Sequence, residues 1–517
     1  MIRVAIALLV IPATVLMCRA FILRPFVASS SHDNPYVLGD GSKNNCCLDA
    51  HPPLDVAIVG AGPSGLLTAH LLLQQENTRV TLVEARSDPR KKEAENRAYA
   101  LGIGVRGRSS IRNVDEALWS AVKSRGYESE RFQLHIGGFV VPLRSEEDSR
   151  TLDGGEMAIE PSLLTYQTDL CGALLDELKR RYNGSRLLQI YFDSTIQACN
   201  LETMTLSLGT AATDEAKQNL SEKSFDLLVG SDGVNSVVRS AMEHFHPSFR
   251  CTKELLPGEF KVVRLDHAPP NVDPTSVSLV LPRAGATSAF VEPTDADGSC
   301  CVLFAGGGDS TILSETKNQT AVCEALQAAF PQWEPIAEIL STQLTKQHKT
   351  GTASSVQCNT FHYNDRAVLV GDAAHATGGV SGQGVNSALQ DCVALADCIE
   401  NNRNDLAQAL LSYSERQVPE AKALYDLSFG PKPKGFKALL WAFRTVRDTV
   451  FRGRFGIGKA PLQTRLTTTM TPFSEIRRES DSFYAEQFPS GQEIQQRLLQ
   501  LHSQAMEGVA APIEQQQ

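Results

Sequence analysis

The feature that most constrains this chain is a short apolar run that breaks into glycines. Asp55-Val56-Ala57-Ile58-Val59 leads directly into Gly60-Ala61-Gly62-Pro63-Ser64-Gly65. A run of that kind makes a buried parallel strand. Pro63 to Gln75 then has a helical pattern, and Val80-Thr81-Leu82-Val83 reads as a second strand. Strand, helix and strand in close succession form one βαβ unit. Gly60 permits the tight turn, Gly62 lets a pyrophosphate touch the backbone, and Gly65 lets helix and strand pack closely. The helix start offers free N–H groups and a positive dipole end to phosphates, so Gly60, Ala61, Gly62, Pro63, Ser64 and Gly65 are candidate ligand contacts. Glu84 closes the second strand, where an acid accepts from ribose hydroxyls, and Arg86 beside it joins the candidates. A second GxGxxG, Gly102 to Gly107, lacks a clear buried strand before it and an acid after it. It reads as fortuitous.

Two later stretches bear on what the cradle holds. Phe225 to Arg239 is a strand running into the turn Ser231-Asp232-Gly233 and then a helix, which makes Asp232 a candidate contact. Leu369-Val370-Gly371-Asp372-Ala373-Ala374-His375 is a strand that delivers Asp372 to a loop, where its carboxylate can accept from ribityl hydroxyls. Gly382-Gln383-Gly384-Val385-Asn386 follows, and Gly384, Val385 and Asn386 open a helix. A positive helix end suits the N1–C2=O edge of a flavin, which becomes anionic on reduction. His375 reads as structural, and no residue is obliged to be a nucleophile or base, so the catalytic residues are unknown at this stage. No metal-binding cluster is evident.

These three stretches resemble the GxGxxG, DG and GD motifs of the group A FAD-dependent monooxygenases. Within that group the chain is most similar to the kynurenine 3-monooxygenases, over about residues 55 to 480. The likeness includes Arg97-Ala98-Tyr99-Ala100-Leu101 through Arg106-Gly107, and Pro461-Leu462-Gln463-Thr464 to Ile476-Arg477. The resemblance implies an α/β fold: a Rossmann-like FAD-binding domain with an inserted antiparallel-sheet substrate domain, as in p-hydroxybenzoate hydroxylase. It also implies that Arg97 contacts the flavin nucleotide and that Gln167 lies near the cofactor. NAD(P)H would serve as transient co-substrate, reducing FAD before O2 adds at flavin C4a, and the hydroperoxide would pass one oxygen to a small aromatic or isoprenoid substrate. The alternatives are an FAD-dependent reductase or desaturase of an isoprenoid, and a non-catalytic FAD-binding protein. This sequence departs from the family at three points. Gly379 stands where the family has a proline before GQG, and Phe132 and Leu143 stand where kynurenine 3-monooxygenases hold the substrate carboxylate with Arg and Tyr. A substrate less polar than kynurenine is expected.

At 517 residues the chain exceeds one compact core. Residues 1–52 read as targeting segment and linker, 53–150 as FAD-binding domain, and 151–250 as its continuation with the DG motif. The strand-like runs Glu259–Leu265, Ser276–Leu281, Thr287–Val291 and Cys300–Ala305 define a substrate-domain sheet over 251–355. The span 356–400 returns to the FAD-binding domain, 401–501 is a helical region, and 502–517 reads as a disordered tail. A formal charge of −10 argues against a nucleic-acid partner, leaving a small-molecule substrate. Arg3, the apolar run Val4–Met17 and Ala20-Phe21 fit a signal peptide followed by a plastid-type presequence of the algal kind, with plain secretion as the alternative. No later run has membrane length. The twelve cysteines include no CxxC pair, which fits free thiols used as small buried hydrophobes.

Overall fold

The computed structural model describes residues 53–91, 99–144, 160–307, 310–314, 317–446 and 462–510. The expected targeting segment and Arg97 therefore lie outside the described residues. Strands β1 (Leu54–Val59) and β2 (Thr78–Val83) flank helix α1 (Pro63–Leu73). Then come β3 (Ala100–Ile103), α2 (Val105–Val114), α3 (Glu116–Lys123), β4 (Tyr127–Ser129), β5 (Phe132–Ile136) and β6 (Phe139–Arg144). β7 (Ser162–Tyr166) runs straight into α4 (Gln167–Tyr182). After it come β8 (Leu188–Tyr191), β9 (Ile196–Asn200), β10 (Thr205–Leu208), β11 (Leu227–Gly230) and α5 (Val237–Phe245). The next stretch holds β12 (Cys251–Leu265), β13 (Val277–Val280), β14 (Ser288–Pro293), β15 (Cys300–Gly306), α6 (Gln319–Ala329), α7 (Ala337–Lys346) and β16 (Gly351–Cys358). β17 (His362–Tyr363), β18 (Ala367–Leu369) and β19 (His375–Thr377) precede α8 (Gly384–Asn401), α9 (Leu406–Phe429) and, near the C-terminal end, α10 (Gly491–Ala510).

One sheet has the order β17-β18-β11-β1-β2-β8 and is parallel except for the β17–β18 pair. Its central strands are apolar throughout because helices cover both faces. The register aligns their ends: Val59 lies opposite both Gly230 and Val83, and Gly230 lies opposite Leu369. The loops after β1, β2, β11 and β18 therefore leave the sheet together at its C-terminal edge, where open α/β sheets bind ligands. Helix α8 packs against α1, α2 and α9, which brings its N-terminus to the same edge.

The second sheet has eight strands in the order β19-β16-β12-β15-β14-β13-β5-β6. All its pairs are antiparallel except β13 with β5. One face carries Val263, Val280, Ala289, Val291, Val302 and Phe304, which pack on Val322 and Leu326 of α6 and Leu340 and Leu344 of α7. Burying each such side chain stabilises the fold by roughly 1.5–3 kcal/mol. The opposite face looks toward the parallel-sheet domain.

Two spans differ from the sequence reading. The substrate sheet is wider than 251–355, since it recruits β5 and β6 from 132–144 and β19 from 375–377. Those pairings join distant segments, which local pattern does not signal. The tail is also not irregular from 502, because α10 continues to Ala510. Ile494 and Leu498, one turn apart, pack with Leu501 against Leu411 of α9 and anchor that helix.

All nine described cysteines are free thiols, and six of them are buried. Among the described residues no helix is long and apolar enough to cross a membrane.

Candidate cofactor and substrate site

The glycine loop is fixed by three close approaches. Gly60 has φ +103°, and a Cβ there would lie 2.5 Å from the Ser231 carbonyl oxygen. A Cβ on Gly65 would lie 1.9 Å from the Gly60 carbonyl oxygen, so helix and strand could not close on any other residue. Gly62 is different: a Cβ there would meet nothing within 4 Å. The chain keeps open space beside this backbone, which is what a phosphate group requires. Ser64 and Gly65, in the first turn of α1, have N–H groups without intrahelical acceptors, and no side chain caps the helix.

Glu84 does two jobs. Its Oε2 accepts from the Ala61 N–H at 2.7 Å and its Oε1 from the Arg86 N–H at 2.8 Å, which ties the strand end to the glycine loop. Each oxygen keeps lone-pair capacity for a hydroxyl donor. The Arg86 side chain is exposed at the same edge.

The DG turn is pinned to this loop from within. Ser231 Oγ donates to the carbonyls of Val59 and Gly60 at 2.9 and 2.8 Å. Asp232 Oδ2 accepts from the Val237 N–H at 2.6 Å, and Oδ1 is buried without a partner. Burial holds this carboxyl above its ordinary range in spite of the Ser236 and Val237 donors. Arg239, one turn into α5, donates to the Ala373 carbonyl at 2.8 Å and the Val234 carbonyl at 2.7 Å. It thereby stitches the DG and GD loops together.

The GD loop has its own buried anchor. Asp391 of α8, 2% exposed, accepts from the Gly371 N–H at 2.9 Å, from His375 Nε2 at 2.7 Å and from Gln417 Nε2 at 3.0 Å. Burial pulls the His375 pKa down, but the charge and hydrogen bond of Asp391 and the charge of Asp372 carry it above the ordinary value. The histidine is structural, as the sequence suggested. Asp372 itself keeps an accessible side chain, yet the surrounding protein raises its carboxyl above the usual range, with His375 opposing and Asp391 adding. Accessible to solvent and poor in solvent at once, it belongs to a concave wall. Tyr99 shares that wall: burial and then the charge of Asp372 push its phenol up to about 12.

Helix α8 starts without a side-chain cap, so the N–H groups of Gly384, Val385 and Asn386 have no intrahelical acceptor. The Asn386 side chain is committed elsewhere. Its Oδ1 accepts from the Gly104 N–H at 2.9 Å and its Nδ2 donates to the Gly102 carbonyl at 3.0 Å. Only its backbone faces the shared edge. This also disposes of the second GxGxxG, which does follow a strand, β3, and precede a helix, α2. Its Gly104 N–H is already taken by Asn386, which leaves that donor no phosphate to meet. Gln167 opens α4, and its N–H donates to the Tyr99 carbonyl at 3.1 Å. Before GQG, Gly379 has φ +79°. Proline, locked near −65°, could not replace it on this path.

The structure thus brings together the glycine loop, Glu84, Arg86, Asp232, Asp372, Gln167 and the start of α8. The open cradle at Gly62, the orphaned Asp232 oxygen and two uncapped helix starts fit a flavin dinucleotide. Sequence reasoning missed Arg239, Asp391, Gln417 and Tyr99, all of which act by holding other groups or by burial.

Fold and site together define a flavoprotein oxidoreductase of the group A monooxygenase class. The chain belongs to the FAD binding domain family, whose model matches residues 53–428. It is 29% identical to the kynurenine 3-monooxygenase of Salinispora arenicola over 424 residues, covering 81% of this chain and 85% of the relative. The corresponding enzyme of Xanthomonas oryzae is 28% identical over 384 residues, 73% of this chain and 78% of its own length. Among solved structures, the tetrameric form of 2-methyl-3-hydroxypyridine-5-carboxylic acid oxygenase superposes with a TM-score of 0.57 at 17% identity, covering 85% of this chain and all of that one. PqsL of P. aeruginosa in complex with 2-aminobenzoylacetate gives 0.54 at 19% identity, covering 72% and 94%. These likenesses support the expected fold, a Rossmann-like domain joined to a substrate sheet.

Proposed function

We propose that the chain is an NAD(P)H- and O2-dependent FAD hydroxylase of a small aromatic compound. The observation that carries this reading is the meeting of two surfaces. The edge that gathers the flavin motifs adjoins the inward face of the eight-stranded sheet, where Phe132, Leu134, Leu279, Leu281 and Phe290 form an apolar cluster. Phe132 and Phe290 have ring centroids 6.1 Å apart, a spacing at which aromatic faces favour a further ring. When bound, FAD supplies the electron and oxygen chemistry. The chain's residues do the rest. The α1 start and the glycine loop would hold the phosphates, Glu84 the ribose and Asp372 the ribityl chain. The N–H groups at the start of α8 would stabilise negative charge on the ring edge they face. The apolar sheet face would orient the substrate and exclude water.

The named relatives act on kynurenine and the similar structures on small aromatic compounds, which favours an aromatic over an isoprenoid substrate. With Phe132 in that cluster, no cation is available at the position where kynurenine 3-monooxygenases carry Arg, which speaks against kynurenine itself. The test uses FAD-loaded full chain, NADPH or NADH, and a broad panel of substituted benzenes and pyridines. Expected are substrate-stimulated bleaching of the flavin under argon and oxygen-18 from O2 in the product. No bleaching with any member of the panel would sink the reading, and turnover without label would select a reductase. For the segment 1–52 we propose signal-peptide-dependent plastid delivery; retention of a 1–52 fluorescent fusion in the secretory pathway would contradict it.

A further inference from the structure

Register arranges the inward face of the eight-stranded sheet in rows. Val262, Leu303, Phe290, Leu279 and Leu134 lie side by side across five strands. The neighbouring row places Arg264 opposite Cys301 and Cys301 opposite Glu292, with Val277 opposite Phe132 further along. Glu292 alternates with Val291, which belongs to the core on the outer face, so the acid shares its face with Phe290 and Cys301. One acid thus stands in an apolar wall.

Its place is the seam between the two domains. Cys301 packs with Ala100 and Tyr166, and its thiol is in hydrogen-bond contact with the Ala100 backbone. Tyr166 bonds through its hydroxyl to Thr294, two residues past Glu292. Tyr166 directly precedes Gln167, whose N–H is held by Tyr99. The row that contains Glu292 therefore ends against the residues that frame the cofactor edge.

No protein group answers this acid. The Glu292 carboxylate makes no hydrogen bond or ion pair among the described residues. Arg264, the cation of its row, is occupied elsewhere, its guanidinium 3.7 Å over the Tyr166 ring. Burial alone pushes the Glu292 carboxyl up to about 7. An unpaired acid in an apolar wall lowers stability, and nothing in the chain offsets that cost. A ligand partner would.

We propose that Glu292 is a specificity-determining residue that touches the substrate, its carboxylate accepting a hydrogen bond from an O–H or N–H substituent of the aromatic ring. The inference rests on the aromatic-oxygenase reading and names the class of ring the wall selects. Hydroxy- and amino-substituted rings are favoured by a charge-assisted bond. A ring whose carboxylate points at this wall is disfavoured, because it would set two carboxylates together. Facing Glu292 from neighbouring elements are Cys301 on β15 and Tyr166 on β7, both pushed up by burial, and Arg264 on β12. Glu292 is therefore the group of this wall that titrates near neutrality.

The test titrates FAD-loaded full chain with phenol and with benzoate, following the perturbation of the flavin absorbance. As pH rises from about 6 to about 8, phenol should bind about tenfold tighter and benzoate correspondingly weaker. In Glu292→Gln both slopes should vanish, with flavin content and the circular dichroism spectrum unchanged. Glu292→Ala, which removes the group altogether, should behave the same way if the glutamine side chain disturbs packing. Slopes that persist in the variants, benzoate binding as tightly as phenol at the higher pH, or no binding of either probe to the FAD-loaded chain would each overturn the inference. A chain that takes up no FAD overturns the proposed function, and this inference with it. An FAD-loaded chain indifferent to position 292 overturns only the latter.

Discussion

At the open edge of the parallel sheet, the groups offered to a ligand are mostly backbone, and each loop is held by a buried polar partner: Ser231, Arg239, Asp391. On the inward face of the antiparallel sheet the offered groups are side chains, and packing alone holds them. The difference separates two tasks. A dinucleotide has the same shape in every member of such a family, and backbone N–H groups recognise shape and charge without regard to the residues that carry them. A substrate differs from member to member, and strand side chains can be exchanged without moving the backbone that presents them. The cradle tolerates almost no substitution, whereas the wall can be rewritten.

That contrast can be attacked from its strong end first. Gly62→Val fills the open cradle without steric conflict inside the protein, so it should weaken FAD binding by about 1,000-fold or more while leaving the fold intact. Flavin fluorescence titration checks this, and unchanged affinity would mean that the phosphates lie elsewhere. Asp391→Ala attacks the support rather than the contact. It leaves the Gly371 N–H, His375 and Gln417 without their acceptor inside the protein. It should cost about 3 kcal/mol of stability in urea unfolding and also loosen FAD.

Asp372→Ala removes one proposed ribityl contact and no structural bond, so a drop in FAD affinity of about 30-fold with unchanged stability of the apoprotein is expected. Full flavin occupancy in that variant would show the contact to be misplaced. The smallest effect belongs to the wall. Glu292 is neutral in the folded chain below about 7 and ionised in the unfolded chain above its ordinary value, so the folded state loses stability as pH rises between the two. Glu292→Gln should match the wild type at acid pH and melt about 2 °C higher at mildly alkaline pH. Equal melting temperatures at both would mean that the acid is solvated.

The same division explains what could be read from the chain. The three flavin motifs were legible because each is local turn chemistry: glycines where the backbone turns left-handed or meets another strand, and acids at strand ends. Position 104 shows the limit of that reading, since its GxGxxG context includes a strand and a helix and only the distant Asn386 takes its N–H. Arg239 and Asp391 look like ordinary polar helix residues until the fold reveals which carbonyls and amides they serve. The placement of β5 beside β13 joins residues 132–136 to 277–280, a pairing that no local pattern carries. Glu292 was invisible for a related reason. An acid in an amphipathic strand reads as solvent-facing until a second domain covers that face.

The bond from Arg239 to the Ala373 carbonyl joins positions 134 residues apart, and nearly the entire antiparallel sheet lies between them. The two walls of the cradle thus reach each other only after the intervening chain has collapsed into its own layer, which places flavin capture late on the folding route. Uptake of colour by a refolding sample would then report maturation of the distant sheet as much as of the nucleotide edge. A fragment ending before β12 should fail to become yellow however well its first βαβ unit forms.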